Sequence, residues 1–199
     1  TFKVFVAFAA PLAIGGFLLA EPLAILIGGS EFRESAAPFR FLVFALAAIF
    51  FGNFFNAIII AGNEQKRLLK ILSIVAVANI SANLLIIPVF SFQGAAFTSL
   101  LTESSVAIAT AILTSRAIGY RPSLAGIPRI LISTGAMGAI LVALQWHSFA
   151  LLVSIGVLVY ICSLAITGAL TKEELLLLFS RSERRGRFIS GTTSQESPL

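Results

Sequence analysis

Two pairs of asparagines lie inside long apolar stretches of this sequence. Asn53 and Asn56 are three residues apart, and Asn79 and Asn83 are four apart, so on a helix each pair occupies one face. An amide both donates and accepts hydrogen bonds, so each pair has two candidate roles. It can bridge a neighbouring helix, or it can line a hydrated cavity and bind a ligand rich in hydroxyl groups. The sequence leaves both interpretations open.

Glu103 is the one carboxylic acid in the middle of an apolar stretch, and hydroxyl residues flank it at Thr102 and Ser104. An ionisable side chain at membrane depth is costly, so it faces other protein or a watery cavity. We therefore interpret Glu103, with the four asparagines, as a candidate residue for a cavity or a transport pathway.

The sequence contains few residues of the types that carry out catalysis or bind metals. The chain has one histidine, one cysteine and no aspartate, and it contains no phosphate-binding loop, no nucleophile elbow and no cluster with metal-ligand spacing. We therefore predict no catalytic residue, no metal site and no cofactor. These absences disfavour an ATPase subunit and most membrane hydrolases.

Composition determines the solvent in which this chain folds. Hydrophobic residues make up 58% of the sequence, charged residues 12%, and the mean hydropathy is +0.99, far from the averages of soluble domains. The formal net charge of +5 comes from residues at helix ends and in the tail, and we find no nucleic-acid-binding motif. An integral membrane protein with no nucleic-acid partner is the class that fits.

The apolar stretches approach or exceed the roughly 20 residues that a helix needs to cross a bilayer. They predict an all-α, polytopic transmembrane bundle of about six helices within a helical region spanning 1–171. The predicted helices are 4–27, 39–61, 68–89, 94–118, 127–145 and 149–170. Proline lacks a backbone donor and bends helices, so Pro11, Pro22 and Pro88 are candidates for helix bending.

Positive charges alternate between the predicted loops. Lys3, Lys66, Arg67, Arg116 and Arg129 fall on one side of the predicted membrane, and the other side has only Arg33 and Arg40. By the positive-inside rule, this pattern predicts a multi-pass protein of the inner (plasma) membrane with a cytoplasmic carboxy-terminus. The segment 172–199 is a basic tail, predicted to be partly disordered, and its arginines are expected to meet lipid headgroups. Those arginines are Arg181, Arg184, Arg185 and Arg187.

Three segments, in order, resemble one family of membrane transporters. They are "LLAEPLAILIGGSEFRESAAPFRFL", "IIIAGNEQKRLLKI" and "NISANLLIIPVFSFQGAA". Their succession covers about half of the chain. It resembles the multidrug/oligosaccharidyl-lipid/polysaccharide (MOP) exporter superfamily, in particular its Wzx-type flippases for O-antigen or exopolysaccharide.

The resemblance implies a MATE-like transporter of 12 to 14 helices in two lobes, which opens a central cavity alternately to the two faces of the membrane. Its substrate would be a polyprenyl-linked glycan, and its partners would be membrane lipids and polysaccharide biosynthesis proteins. Because the chain opens Thr-Phe-Lys and its first apolar stretch starts at once, we expect it to be the carboxy-terminal portion of such a protein.

The sequence departs from the family pattern in two places. The outer turn after Pro88 lacks the usual early glycine, because Phe90-Ser91-Phe92-Gln93 precede Gly94. No cation lies at mid-membrane depth, where such flippases hold the pyrophosphate of the glycan carrier. A cation-coupled multidrug exporter, which Glu103 would suit, and a non-transporting scaffold remain alternatives. A membrane polymerase or acyltransferase needs longer outer loops than this chain has.

Overall fold

The structure is a computed structural model, and it describes residues 2–168. This range is helical apart from short connections and contains no strand, which confirms the predicted all-helical class. The elements are α1 (Phe2–Leu18), α2 (Ala20–Gly28), a 3₁₀ helix (Ser30–Ser35), α3 (Ala36–Ala61), α4 (Gln65–Leu113), a π-helical turn (Thr114–Ile118), α5 (Ile127–Ala143) and α6 (Phe149–Thr167). The predicted basic tail lies outside the described residues.

Three stretches of the described chain are long and apolar enough to cross a membrane, and a fourth qualifies if α1 and α2 form one bent span. The three are Ser30–Ala61, Gln65–Ile118 and Phe149–Thr167. Large apolar side chains cover their outer surfaces: Leu85 is 74% exposed and Ile166 is 86% exposed. In water such a surface would be unfavourable, whereas in lipid it is solvated. The fold is therefore compatible with a membrane protein.

Helix α4 is a hairpin with two antiparallel arms, 65–90 and 92–113. Ser91 has non-helical backbone angles (φ 49°, ψ −133°), and the chain reverses there. In a straight helix Asn79 and Thr102 would lie roughly 35 Å apart, yet their side-chain Nδ2 and Oγ1 atoms are 2.6 Å apart. The turn falls between the third and fourth predicted helices, three residues after Pro88.

Gly94 allows the two arms to approach each other near this turn. A Cβ atom placed on it would lie 2.8 Å from Ile86 Cγ2 and 3.1 Å from the Ile86 carbonyl oxygen. Real Cβ atoms essentially never come within 2.8 Å of another heavy atom, and 3.1 Å is tighter than most of their contacts, here with a backbone oxygen that cannot move aside without changing the turn. The glycine that begins the predicted return helix is thus required by close packing.

The first predicted helix, 4–27, is two helices in the structure. Helices α1 and α2 meet at Leu19 with a bend of 71°. Pro22 explains the break, because it has no N–H group for the carbonyl of Leu18 and is tolerated in the first turn of the new helix α2. Pro11, in contrast, lies within the continuous helix α1.

Helix α1 lies at the centre of the bundle, between α3 and α5. The Phe2 ring packs against the rings of Phe54 and Phe55 of α3, and Gly138 of α5 lies against Ile14. Helix α5 also packs against α6, and α3 runs parallel to the second arm of α4. Each helix of the described bundle therefore has a partner.

The predicted inner-side cations of the described range gather at one end of the bundle. Two contacts bring the connections of this side together. Lys3, at the start of α1, lies over Gly126, just before α5. Gly62, in the connection between α3 and α4, lies against Ile118, at the end of the π-helical turn. We call this the basic end. Arg33 lies at the opposite end, where its Nε atom donates a 2.7 Å hydrogen bond to Glu21. The alternation of charge along the sequence thus corresponds to a separation of charge in space.

Candidate functional site

The arms of the α4 hairpin are joined by a closed ring of hydrogen bonds, which we call the polar ring. It consists of Asn79, Asn83, Thr98 and Thr102. The Thr98 hydroxyl donates to Asn83 Oδ1 at 2.5 Å, and Asn83 Nδ2 donates to Asn79 Oδ1 at 3.0 Å. Asn79 Nδ2 then donates to Thr102 Oγ1 at 2.6 Å, and the Thr102 hydroxyl donates to the Thr98 carbonyl at 2.8 Å.

Spacing along the sequence explains why these four residues meet. Each arm carries its two polar residues four apart, and therefore on one face. When the chain reverses near Ser91, Asn83 meets Thr98 and Asn79 meets Thr102. From the sequence, Thr102 stood out only as a neighbour of Glu103. The signal that identifies the two threonines as partners is their equal distance from the turn.

The polar ring can do two things chemically. Thr98 is 1% exposed, while Asn79 and Asn83 are half-buried, so the ring lies at the arm interface with its amides near the edge. Within the ring each amide uses one N–H and its oxygen, which leaves one N–H on each asparagine for another acceptor. The geometry supports the bridging role directly and leaves spare donors for a ligand.

Glu103 lies beside the polar ring and outside it. It follows Thr102 on the second arm, so its side chain projects about 100° around the helix from Thr102. The side chain is half-buried. Within the described part of the chain it makes no hydrogen bond or ion pair. A carboxyl group in such a position has to be protonated, hydrated or bound to something else.

The other asparagine pair does not join the ring. Asn53 is exposed on α3, and Asn56 is half-buried with a buried Oδ1 atom that has no hydrogen-bond partner among the described residues. Gly52 of α3 faces Val106 on the second arm of α4. Asn56 lies one turn after Gly52, toward the basic end, whereas Thr102 lies one turn before Val106, away from that end. Asn56 and Thr102 are therefore on opposite sides of this contact. Of the five predicted pathway residues, hydrogen bonds within the described chain join Asn79 and Asn83, and they do not extend to Asn53, Asn56 or Glu103.

A second polar contact, unforeseen from the sequence, holds α6 to α1. The Tyr160 hydroxyl donates a 2.6 Å hydrogen bond to the carbonyl oxygen of Ala7, and Tyr160 is 8% exposed. The residue four positions after Ala7 is Pro11, which has no N–H group to donate to this carbonyl. Tyr160 thus supplies the donor that the proline removes.

The end opposite the basic end carries a small charged group. Glu21 follows the break in α1–α2 and accepts the bond from Arg33, with side chains 40% and 71% exposed. An exposed pair of this kind contributes at most about 1 kcal/mol. The Arg40 guanidinium lies 5.4 Å from the centre of the Phe17 ring, within the range of a cation–π contact. These contacts connect the broken helix to the start of α3.

Among residues 2–168, no group of three or more His, Cys, Asp or Glu side chains is placed to hold a metal ion. The tail arginines predicted to meet headgroups lie outside the described residues. No protein-family model matches the chain, and no curated protein or solved structure matches it. A functional proposal therefore depends on the residues, their geometry and the family resemblance of the sequence.

Proposed function

We propose that this chain is part of a MOP-type flippase, which moves a lipid-linked oligosaccharide or polysaccharide precursor across the cytoplasmic membrane by alternating access. In this proposal the chain forms about six crossings of a two-lobed, MATE-like carrier of 12 to 14 helices, namely the last four helices of the second lobe and two further terminal ones. It carries out no covalent chemistry and needs no cofactor. The substrate is a polyprenyl-linked glycan.

The break between α1 and α2 is the observation that carries a transport function. Helices α1 and α2 are long enough to cross a membrane only as a pair, and they are bent by 71° where they meet. Irregular backbone within the hydrocarbon region is tolerated only where it is buried in protein or lines a watery cavity. Discontinuous helices are a recurrent device of transporters, in which they shape the substrate site and allow one part to rock against another. Pro11, seven residues before the end of α1, is a second position at which the same helix lacks a backbone N–H donor.

The α4 hairpin supports the family part of the proposal. Its turn at Ser91 lies between Pro88 and Gly94, which is where the resemblance places the outer turn of a flippase. The close approach at Gly94 gives a physical reason for the small residues that follow the turn in the resembling segment. The polar ring, on one face of this hairpin, would then hold the wall of the transport cavity.

Glu103 favours a second candidate, a cation-coupled multidrug exporter of the same fold. A half-buried carboxyl group without a partner in the described chain is suited to exchange a proton or bind a cation at membrane depth. The two candidates differ in their substrate. Deleting the gene is expected to abolish surface polysaccharide if the protein is a flippase, whereas drug sensitivity with normal polysaccharide would favour the exporter.

If the Glu103 carboxylate couples transport to an ion, we expect Glu103→Gln to lower transport at least tenfold without changing the amount of protein in the membrane. Glutamine keeps the shape of the side chain and removes its ability to ionise. The measurement is restoration of surface polysaccharide in the deletion strain, with Glu34→Gln, an exposed carboxylate in the 3₁₀ helix, as the matched control. Full restoration by the Glu103 variant would assign this residue a structural role.

A further inference from the structure

An open cleft lies at the basic end of the bundle, between the start of α1, the start of α5 and the end of α6. Its volume is about 330 Å³, and it is lined by Lys3, Ala125, Gly126, Pro128, Arg129 and Gly168. None of these residues belongs to the polar ring or to the contact of Tyr160 with α1. Two of the six are cations, contributed by different helices.

Two cations, Lys3 of α1 and Arg129 of α5, converge on this cleft. Lys3 folds over Gly126: a Cβ atom placed on that glycine would lie 2.9 Å from Lys3 Cε and 3.4 Å from Nζ. Arg129 stands in the first turn of α5, where the helix dipole is positive, and that turn has no acidic residue. The start of α5 favours negative charge, whereas the end of α6 at Gly168 disfavours it, so the two cations are what favours an anion in the cleft.

Gly126 makes the close approach of Lys3 possible. It caps α5 in the left-handed conformation, with φ of 85°, which residues with a side chain rarely adopt. The Arg129 carbonyl accepts a hydrogen bond from the Ser133 hydroxyl, but the guanidinium of Arg129 makes no hydrogen bond or ion pair with any residue in 2–168, and the residue is exposed. Its guanidinium is therefore able to form paired hydrogen bonds with an incoming oxyanion.

We propose that this cleft binds the phosphate group of an anionic phospholipid, a role that does not depend on transport. The surroundings favour a lipid over a soluble phosphate. Leu124, beside the cleft residue Ala125, is 66% exposed, and Ile166, two residues before Gly168, is 86% exposed. Acyl chains can cover these apolar surfaces while the headgroup reaches Lys3 and Arg129, and basic pockets between helix ends are suited to such headgroups.

The test compares two double variants of the full chain that lose the same charge at the same end. Lys3→Gln with Arg129→Gln removes both cleft cations. Lys66→Gln with Lys70→Gln removes two exposed cations of α4 outside the cleft. Native mass spectrometry of the purified protein measures binding of phosphatidylglycerol, with phosphatidylcholine as the neutral lipid. Circular dichroism checks that each variant is folded.

We expect the cleft variant to bind phosphatidylglycerol at least tenfold more weakly, the control variant to change less than twofold, and phosphatidylcholine to bind weakly to all. Arg129→Lys, which keeps the charge, should retain part of the affinity and provides a second variant if the double glutamine form does not fold. Equal losses in the two double variants would overturn the site in favour of a general charge effect. Displacement of the lipid by millimolar inorganic phosphate would overturn the lipid assignment.

Discussion

Tyr160→Phe is expected to destabilise the bundle by about 1–2 kcal/mol, because it leaves the carbonyl of Ala7 without a donor in an apolar interior. The loss should depend on Pro11. With Pro11→Ala, residue 11 regains an N–H group that can bond to this carbonyl within α1. In that background we expect Tyr160→Phe to cost less than half as much.

The free energy of unfolding in mixed micelles, titrated with a denaturing detergent, measures this effect in all four members of the cycle. Tyr120→Phe is the matched control, because Tyr120 packs against Phe54 and its hydroxyl has no hydrogen-bond partner in the described chain. It should change stability by less than about 0.5 kcal/mol. An equal cost of Tyr160→Phe with and without Pro11 would contradict the assigned role of the hydroxyl.

Asn79→Leu is expected to destabilise the α4 hairpin by about 1 kcal/mol, in the range measured for hydrogen bonds between membrane helices. The substitution removes the bond to Thr102 and leaves Asn83 Nδ2 without its acceptor. Adding Asn83→Leu removes that stranded amide. The Thr98 hydroxyl, which has lost its acceptor, then donates to the carbonyl of Ala95, and Thr102 keeps its bond to the carbonyl of Thr98. The double variant should therefore cost less than the sum of the two single variants.

The same unfolding measurement tests this coupling, and Asn53→Leu is the control, because Asn53 is exposed on α3 outside the ring. Additive costs would show that the four side chains do not act as one network. Under the proposed function, a transport measurement on the double variant distinguishes the two roles that the sequence leaves open for the asparagines, bridging between helices and contact with substrate. If the amides serve as bridges, we expect the folded double variant to keep most of its transport, whereas complete loss would indicate direct contact with substrate.

Much of the fold could be predicted from local sequence. Long apolar stretches determine that the chain is helical, and the interruption from Pro88 to Gly94 indicates the reversal that the structure places at Ser91. The predicted single helix 4–27 is divided in the structure, because Pro22 removes a donor and begins a new helix. The size of that bend depends on packing against α3, which local patterns do not encode.

The contacts that join helices were harder to predict because they depend on register between distant segments. The polar ring requires both the position of the turn and the rotation of each arm. Tyr160 and Ala7 are 153 residues apart, and only the packing of α6 against α1 brings them together. The cleft likewise combines residues from three parts of the chain. What the asparagines and Glu103 do in transport remains a prediction.

The most direct test of the central proposal is the membrane leaflet in which lipid-linked glycan resides when the gene is deleted. The proposal predicts that the precursor is still made and accumulates in the inner leaflet, where an impermeant probe added to intact spheroplasts does not reach it. Expression of the intact gene should return it to the outer leaflet. Precursor that reaches the outer leaflet at the normal rate in the deletion strain would contradict the assignment as a flippase.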